Sequence, residues 1–143
     1  MEVVKTNLLI STAICLLISV VFLISNESSK ILSIEDLKGQ WKGVYKNTNV
    51  VLEIKKNNAC MLEFYNNLSG ITEMLNGTCR IDNSKSPNSF IMTNIDELNT
   101  SLYSLMVPIN INTVHFSEFS TRWKLRPVTL INENTIILKK QMN

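Results

Sequence analysis

Eight short runs of alternating apolar and polar residues, separated by brief asparagine-rich gaps, constrain this chain more than any other feature. The alternation predicts strands near Trp41–Lys46, Val50–Lys55, Cys60–Tyr65, Ile71–Asp82, Ser89–Thr93, Ser101–Val107, Thr113–Phe119 and Thr135–Lys140. Asn47-Thr48-Asn49 joins the first pair, Lys56-Asn57-Asn58 the next, and Asn67 to Gly70 the third to the fourth. Asn83 to Asn88, with Pro87, supplies the turn after the long fourth strand. Asparagine suits these places because it tolerates positive φ. Connections so short require antiparallel neighbours, since parallel strands need a long crossover. Eight antiparallel strands close most economically into an up-and-down barrel, which leaves no exposed edge. A two-layer sandwich is the alternative. Pro108 is expected to mark the end of the sixth strand, and Pro127 an edge or a strand-to-loop transition, because proline cannot donate to a ladder.

Ahead of the strands lies a segment of a different kind. Thr6 to Ser25 carries no charge, and Leu8 to Ile24 is dominated by Leu, Ile, Val and Phe. Twenty helical residues span roughly 30 Å, the thickness of a hydrocarbon core. Residues 1–25 are therefore expected to form a transmembrane helix that acts as an uncleaved signal-anchor. A cleaved signal peptide fits less well, because Leu23 would stand where a cleavage site wants a small side chain. Cys15 follows Ile14, not a small residue, and reads as apolar filler, not a lipid-attachment site. Lys5 and the amino terminus favour the N-terminus inside and the domain on the extracytoplasmic (periplasmic or lumenal) side. Residues 26–32 form a polar linker, and 33–143 one domain of a size to bury a single modest core. The formal charge of +2 is too small to imply a nucleic-acid partner.

The domain opens on Ser33-Ile34-Glu35-Asp36, which has the pattern of a capping box and predicts one or two turns of helix. Gly39 ends it by allowing a left-handed conformation. Gly39-Gln40-Trp41 follows, and this triplet resembles the opening Gly-x-Trp motif of lipocalin and calycin barrels. The run Gly77-Thr78-Cys79-Arg80-Ile81-Asp82-Asn83-Ser84-Lys85-Ser86-Pro87 is similar to a segment of a family of small uncharacterised bacterial lipocalin-like (calycin-type) domains, with an N-terminal membrane anchor here. In that family a strand, an Arg-Pro pair and a last strand ending in basic residues come next. Phe90–Thr93, Arg126-Pro127 and Ile136–Lys140 stand at those places, so the resemblance covers roughly residues 33–140. Cys79 departs from it, since the family favours an aromatic or aliphatic residue there. The resemblance implies a lipocalin-like barrel and no particular activity. It also implies that Trp41 closes one barrel end beneath a cation, with Arg126 as the first candidate and Arg122 or Lys140 as substitutes.

Few residues speak for chemistry. Cys60 and Cys79 are both expected to face inward, either bridged as a disulfide or buried as two free thiols. With no Cys-x-x-Cys and a single histidine, no metal site is expected. His115 alternates with Thr113 and Ser117 and reads as a surface or barrel-mouth residue without an orienting carboxylate. Asp96-Glu97 reads as a solvated loop. No catalytic residue and no cofactor is therefore expected. Arg122, Lys124 and Arg126 around Trp123 form a basic tract that fits a solvent face, with contact to anionic lipid headgroups a further option. The interior remains. Leu52, Ile54, Leu62, Phe64, Leu105 and Phe116, with Leu102 and Ile137, are expected to line it. Small positions such as Ala59 and Gly77 could leave room for an apolar ligand or lipid, admitted at the end opposite Trp41. The expected function is a non-enzymatic, membrane-anchored barrel binding such a ligand. The alternative is a filled barrel serving as an assembly or interaction module for a membrane protein complex.

Overall fold

Period-two alternation is realised as eight strands, numbered in chain order: β1 (Gly39–Tyr45), β2 (Thr48–Ile54), β3 (Ala59–Asn66), β4 (Thr72–Asp82), β5 (Asn88–Thr93), β6 (Leu102–Asn110), β7 (Thr113–Ser117) and β8 (Thr135–Lys140). The structure is a computed structural model and describes residues 33–122, 124 and 128–142. The expected anchor over residues 1–25 with Cys15, the linker over 26–32, and Trp123, Leu125, Arg126 and Pro127 lie outside the described residues. Among the described residues no helix is long and apolar enough to cross a membrane.

Every strand pairs antiparallel with its neighbour in sequence, and β1 pairs with β8, closing the barrel. The odd strands run away from the end where the domain begins, and the even ones return to it. That first end is the floor and the other the mouth. Strand β4 is long because it serves two partners, with Thr72 to Thr78 on β3 and Thr78 to Asp82 on β5. The β1–β2 turn is tighter than expected. Thr48 and Asn49 already pair within β2, leaving Lys46, at φ 53°, and Asn47 to make the reversal. Pro108 does not end β6. It pairs with Val114 at a register shift, a bulge where a missing N–H costs no ladder bond, and the strand runs on to Asn110.

Residues Ser33 to Lys38 close as three successive i→i+3 turns, with Asp36, Leu37 and Lys38 donating to the carbonyls of Ser33, Ile34 and Glu35 at 3.2, 3.2 and 3.3 Å. Asp36 reaches back to accept from both the amide and the hydroxyl of Ser33, each at 2.9 Å. That is the returning half of the capping box. The Ser33 hydroxyl itself donates instead of accepting. Gly39 then carries a φ of +114°, a value that L side chains rarely adopt.

One residue in two from each strand fills the interior. Leu52, Leu62, Leu75, Phe90, Met92, Met106, Phe116, Ile136 and Leu138 belong to one buried cluster. Phe116 meets Phe90 edge-on at 5.3 Å between ring centroids and lies stacked on Phe119 at 5.9 Å, so the mouth half of the core is aromatic. The buried hydroxyl of Ser104 is satisfied by the Ser117 carbonyl at 2.8 Å, while Ser117 Oγ accepts the Leu105 amide at 2.8 Å.

Candidate functional site in and around the barrel interior

Trp41 lies in the inward register of β1 and is 2% exposed. Its indole N–H donates to the Leu37 carbonyl at 2.7 Å, so the opening turn and the indole lock together across the floor. Lys140, the last residue of β8, pairs directly with Trp41 and holds its Nζ 5.2 Å from the indole centroid. The same ammonium donates to the Asp36 carbonyl at 3.1 Å. Among the described residues the cation over Trp41 is Lys140. Arg126 lies outside the described residues, and Arg122 is exposed beyond the mouth end of β7.

Of the other residues expected in the interior, Leu52, Ile54, Leu62, Leu102 and Phe116 are buried in the core, and Phe64 packs against it. Two expectations are corrected. Leu105 pairs with Ser89 on the outer face of the barrel, because Ser104 and Met106 take the inward positions of β6. It is buried there, as is Ile91 on the neighbouring strand. Ile137 also faces outward, 43% exposed, while Ile136 and Leu138 turn in. Both errors fall where two or three apolar residues follow one another, so that alternation cannot choose the face. Met92, Met106, Ile136 and Leu138 were missed for the same reason or as simple extensions of strands already recognised.

The small positions leave no chamber. Ala59 is exposed. At Gly77 a Cβ would stand 2.6 Å from the Thr93 carbonyl oxygen and 3.3 Å from Ile95, so the chain leaving β5 already occupies that space. A cavity able to hold a ligand would leave its lining accessible. Instead Val50, Leu62, Phe90, Met92, Met106, Phe116 and Leu138 are all at 0% exposure. Among the described residues the inward side chains pack against one another with no accessible surface.

Cys60 and Cys79 are inward-facing, buried and free. Cys60 pairs with Gly77, which places Cys79 on its diagonal. The neighbouring Cys79 thiol and burial together push the Cys60 thiol well above its ordinary value, which keeps it protonated and unreactive at neutral pH. Cys79 Sγ lies 3.5 Å from the Asn58 carbonyl, to which it donates.

At the mouth a charged cluster ties two distant parts of the chain. The Tyr45 hydroxyl donates to Glu118, and Lys46 Nζ lies 3.2 Å from the same carboxylate and 4.6 Å over the Tyr45 ring. These donors hold the Glu118 carboxyl below its ordinary value, and burial with Glu118 raises Tyr45. The cluster is a clasp between the end of β1 and the segment after β7. Asp96-Glu97 is less free than a solvated loop. Glu97 accepts from both the amide and the side chain of Asn76 at 2.9 Å, strapping the β5–β6 connection onto β4. A depression of about 290 Å³ opens beside this strap, lined by Lys55, Met61, Asn76, Thr78 and Asp96 among others.

His115 stands in the outward register, half-buried between its cross-strand partners Val107 and Ile137. No group of three or more metal-ligating side chains occurs among the described residues. The chain matches no family model, and no curated protein or solved structure matches it.

Proposed function

We propose that this chain is a membrane-tethered, lipocalin-like barrel that works as a non-catalytic interaction module, making its contacts with its rims and outer wall. The other reading, an apolar ligand carried inside, is the first expectation from the sequence, and the close packing of the inward side chains favours the module over it. A carrier of this size needs a hollow of a few hundred Å³ lined by apolar side chains. The observation that carries the proposal is the row of interior residues at zero exposure, from Val50 to Leu138. A filled barrel is a rigid platform on which loops and strand faces are held in fixed positions.

The resemblance to lipocalin-like domains agrees with this reading, because a closed eight-stranded antiparallel barrel with a tryptophan at its floor is the fold it implies. The tether rests on the uncharged stretch from Thr6 to Ser25. The test is native mass spectrometry of the purified full chain, paired with binding of benzene or xenon. The wild type should show a bare polypeptide mass and take up neither probe. Phe116→Ala, which opens a dry apolar hole, should gain probe binding. A stoichiometric lipid or pigment on the wild type would reverse the assignment in favour of a carrier.

A further inference from the structure

The two ends of the barrel differ in a way that the interior does not explain. At the floor the β6–β7 hairpin projects Ile109 and Ile111, which are 52% and 76% exposed. Beside its tip the Lys140 amide donates to the Asn112 carbonyl at 2.9 Å, and Met142 follows, 82% exposed. Lys139 pairs with Thr113 on one side and directly with Lys42 on the other. Two lysines facing each other across a ladder repel, and neither has an ion-pair partner among the described residues. Lys55 and Lys56 in the β2–β3 connection and Lys85 in the β4–β5 turn add cations around the same end. Of the acids there, Glu35 is paired with Lys38 and Glu53 lies 4.0 Å from Lys55. Asp36 belongs to the opening turn whose carbonyl accepts from Lys140, and Asp82 lies beside Arg80 and Lys85, so the cations outnumber the acids around this end. The mouth exposes apolar residues as well, Leu68 at 80% and Ile71 at 65%, but it is not basic. Glu73, Glu118 and Glu133 stand there with Lys46, already engaged by Glu118, and with Arg122 and Lys124. Asp96 lies between the ends, in the depression it shares with Lys55, and Glu97 is strapped to Asn76.

We propose that the floor of the barrel seats on an anionic lipid surface, with Ile109, Ile111 and Met142 entering the headgroup region and Lys139, Lys56 and Lys85 meeting phosphates. Exposed apolar tips ringed by lysine are the chemistry that an acidic bilayer surface selects. The occupant follows from chain length as well as charge. The apolar segment ends at Ser25, and the domain's first described residue is Ser33, so seven residues of chain separate the two, at most about 28 Å from Ser25 to Ser33 when extended. The tether therefore enters the domain at its floor. This inference rests on the membrane-tether reading. It also moves lipid contact away from the Arg122–Lys124 tract, which lies past the mouth end of β7.

The test uses the full chain in nanodiscs of phosphatidylcholine with phosphatidylglycerol, compared with phosphatidylcholine alone. Methyl NMR would be recorded with spin-labelled lipid. In the acidic discs the Ile109 and Ile111 methyl signals should broaden several-fold more than those of Leu68 and Ile71 at the mouth. Lys139→Glu, or the neutral discs, should shrink that difference. Equal broadening at both ends, greater broadening at Leu68, or none at either end would overturn the seating. Methyl signals of Leu16 and Leu17 report the tether separately. If they stay sharp the anchor reading fails, and broadening confined to Ile109 and Ile111 would still uphold the surface while its absence would overturn it.

Discussion

Trp41 is the residue on which the floor depends. It is held from three directions: by the core it fills, by the Leu37 carbonyl and by the ammonium of Lys140. Their contributions differ in size. Removing a buried indole forfeits its transfer energy and leaves a hole, so Trp41→Ala should lower stability by about 3–5 kcal/mol. Removing the cation alone, in Lys140→Ala, should lower it by only about 1 kcal/mol, since that side chain is half in water. Urea unfolding followed by circular dichroism ranks the two. A tryptophan variant with an unchanged midpoint would put the indole outside the core. Trp41 was legible from sequence because its neighbours alternate cleanly. The part of Lys140 was not, since several cations come late in the chain and only the β1–β8 register brings Lys140 onto the indole.

At the level of elements, the strands were readable and their faces only partly so. Where a polar residue follows each apolar one, as in Leu62-Glu63-Phe64, the inward side follows from the period. Leu105-Met106 and Ile136-Ile137-Leu138 offer no such marker, and cross-strand pairing decides them. The clasp between β1 and the segment after β7 was invisible in sequence, because Tyr45 and Glu118 are 73 residues apart. It has a pH signature. Glu118 titrates lower in the folded protein than in the unfolded chain, chiefly because Tyr45 and then Lys46 donate to it. Its stabilisation is therefore complete above the ordinary glutamate value of about 4.3 and fades as the pH falls toward the folded one. Thermal melts should show the wild type losing more stability than Glu118→Gln between neutral and acidic pH. Parallel losses in the two proteins would mean that the clasp is not formed in solution.

For the whole molecule, closure turns on a seam only a few residues long. Strand β1 meets β8 through Trp41–Lys140 and Lys42–Lys139, and next to them Gly43 lies against the β8 backbone. A Cβ there would stand 2.0 Å from the Ile137 carbonyl oxygen. Backbone cannot yield as a side chain does, so Gly43→Ala should cost at least about 2 kcal/mol. Amide exchange at Lys42 and Lys139 should also rise relative to the middle of β2–β3. A variant with wild-type exchange at the seam would show that β1 and β8 have room to spare. The sequence alone determined the number of strands, their antiparallel order and the inward indole. Each of these follows from local periodicity and from connections too short to cross over. The tertiary structure alone decided that the inward side chains pack to zero exposure, that Lys140 covers Trp41, and that Gly43 and Gly77 are sites of close approach. These depend on which residues meet across the sheet and around the closed circuit. Such meetings are set by register between segments far apart in the chain, which no local pattern encodes.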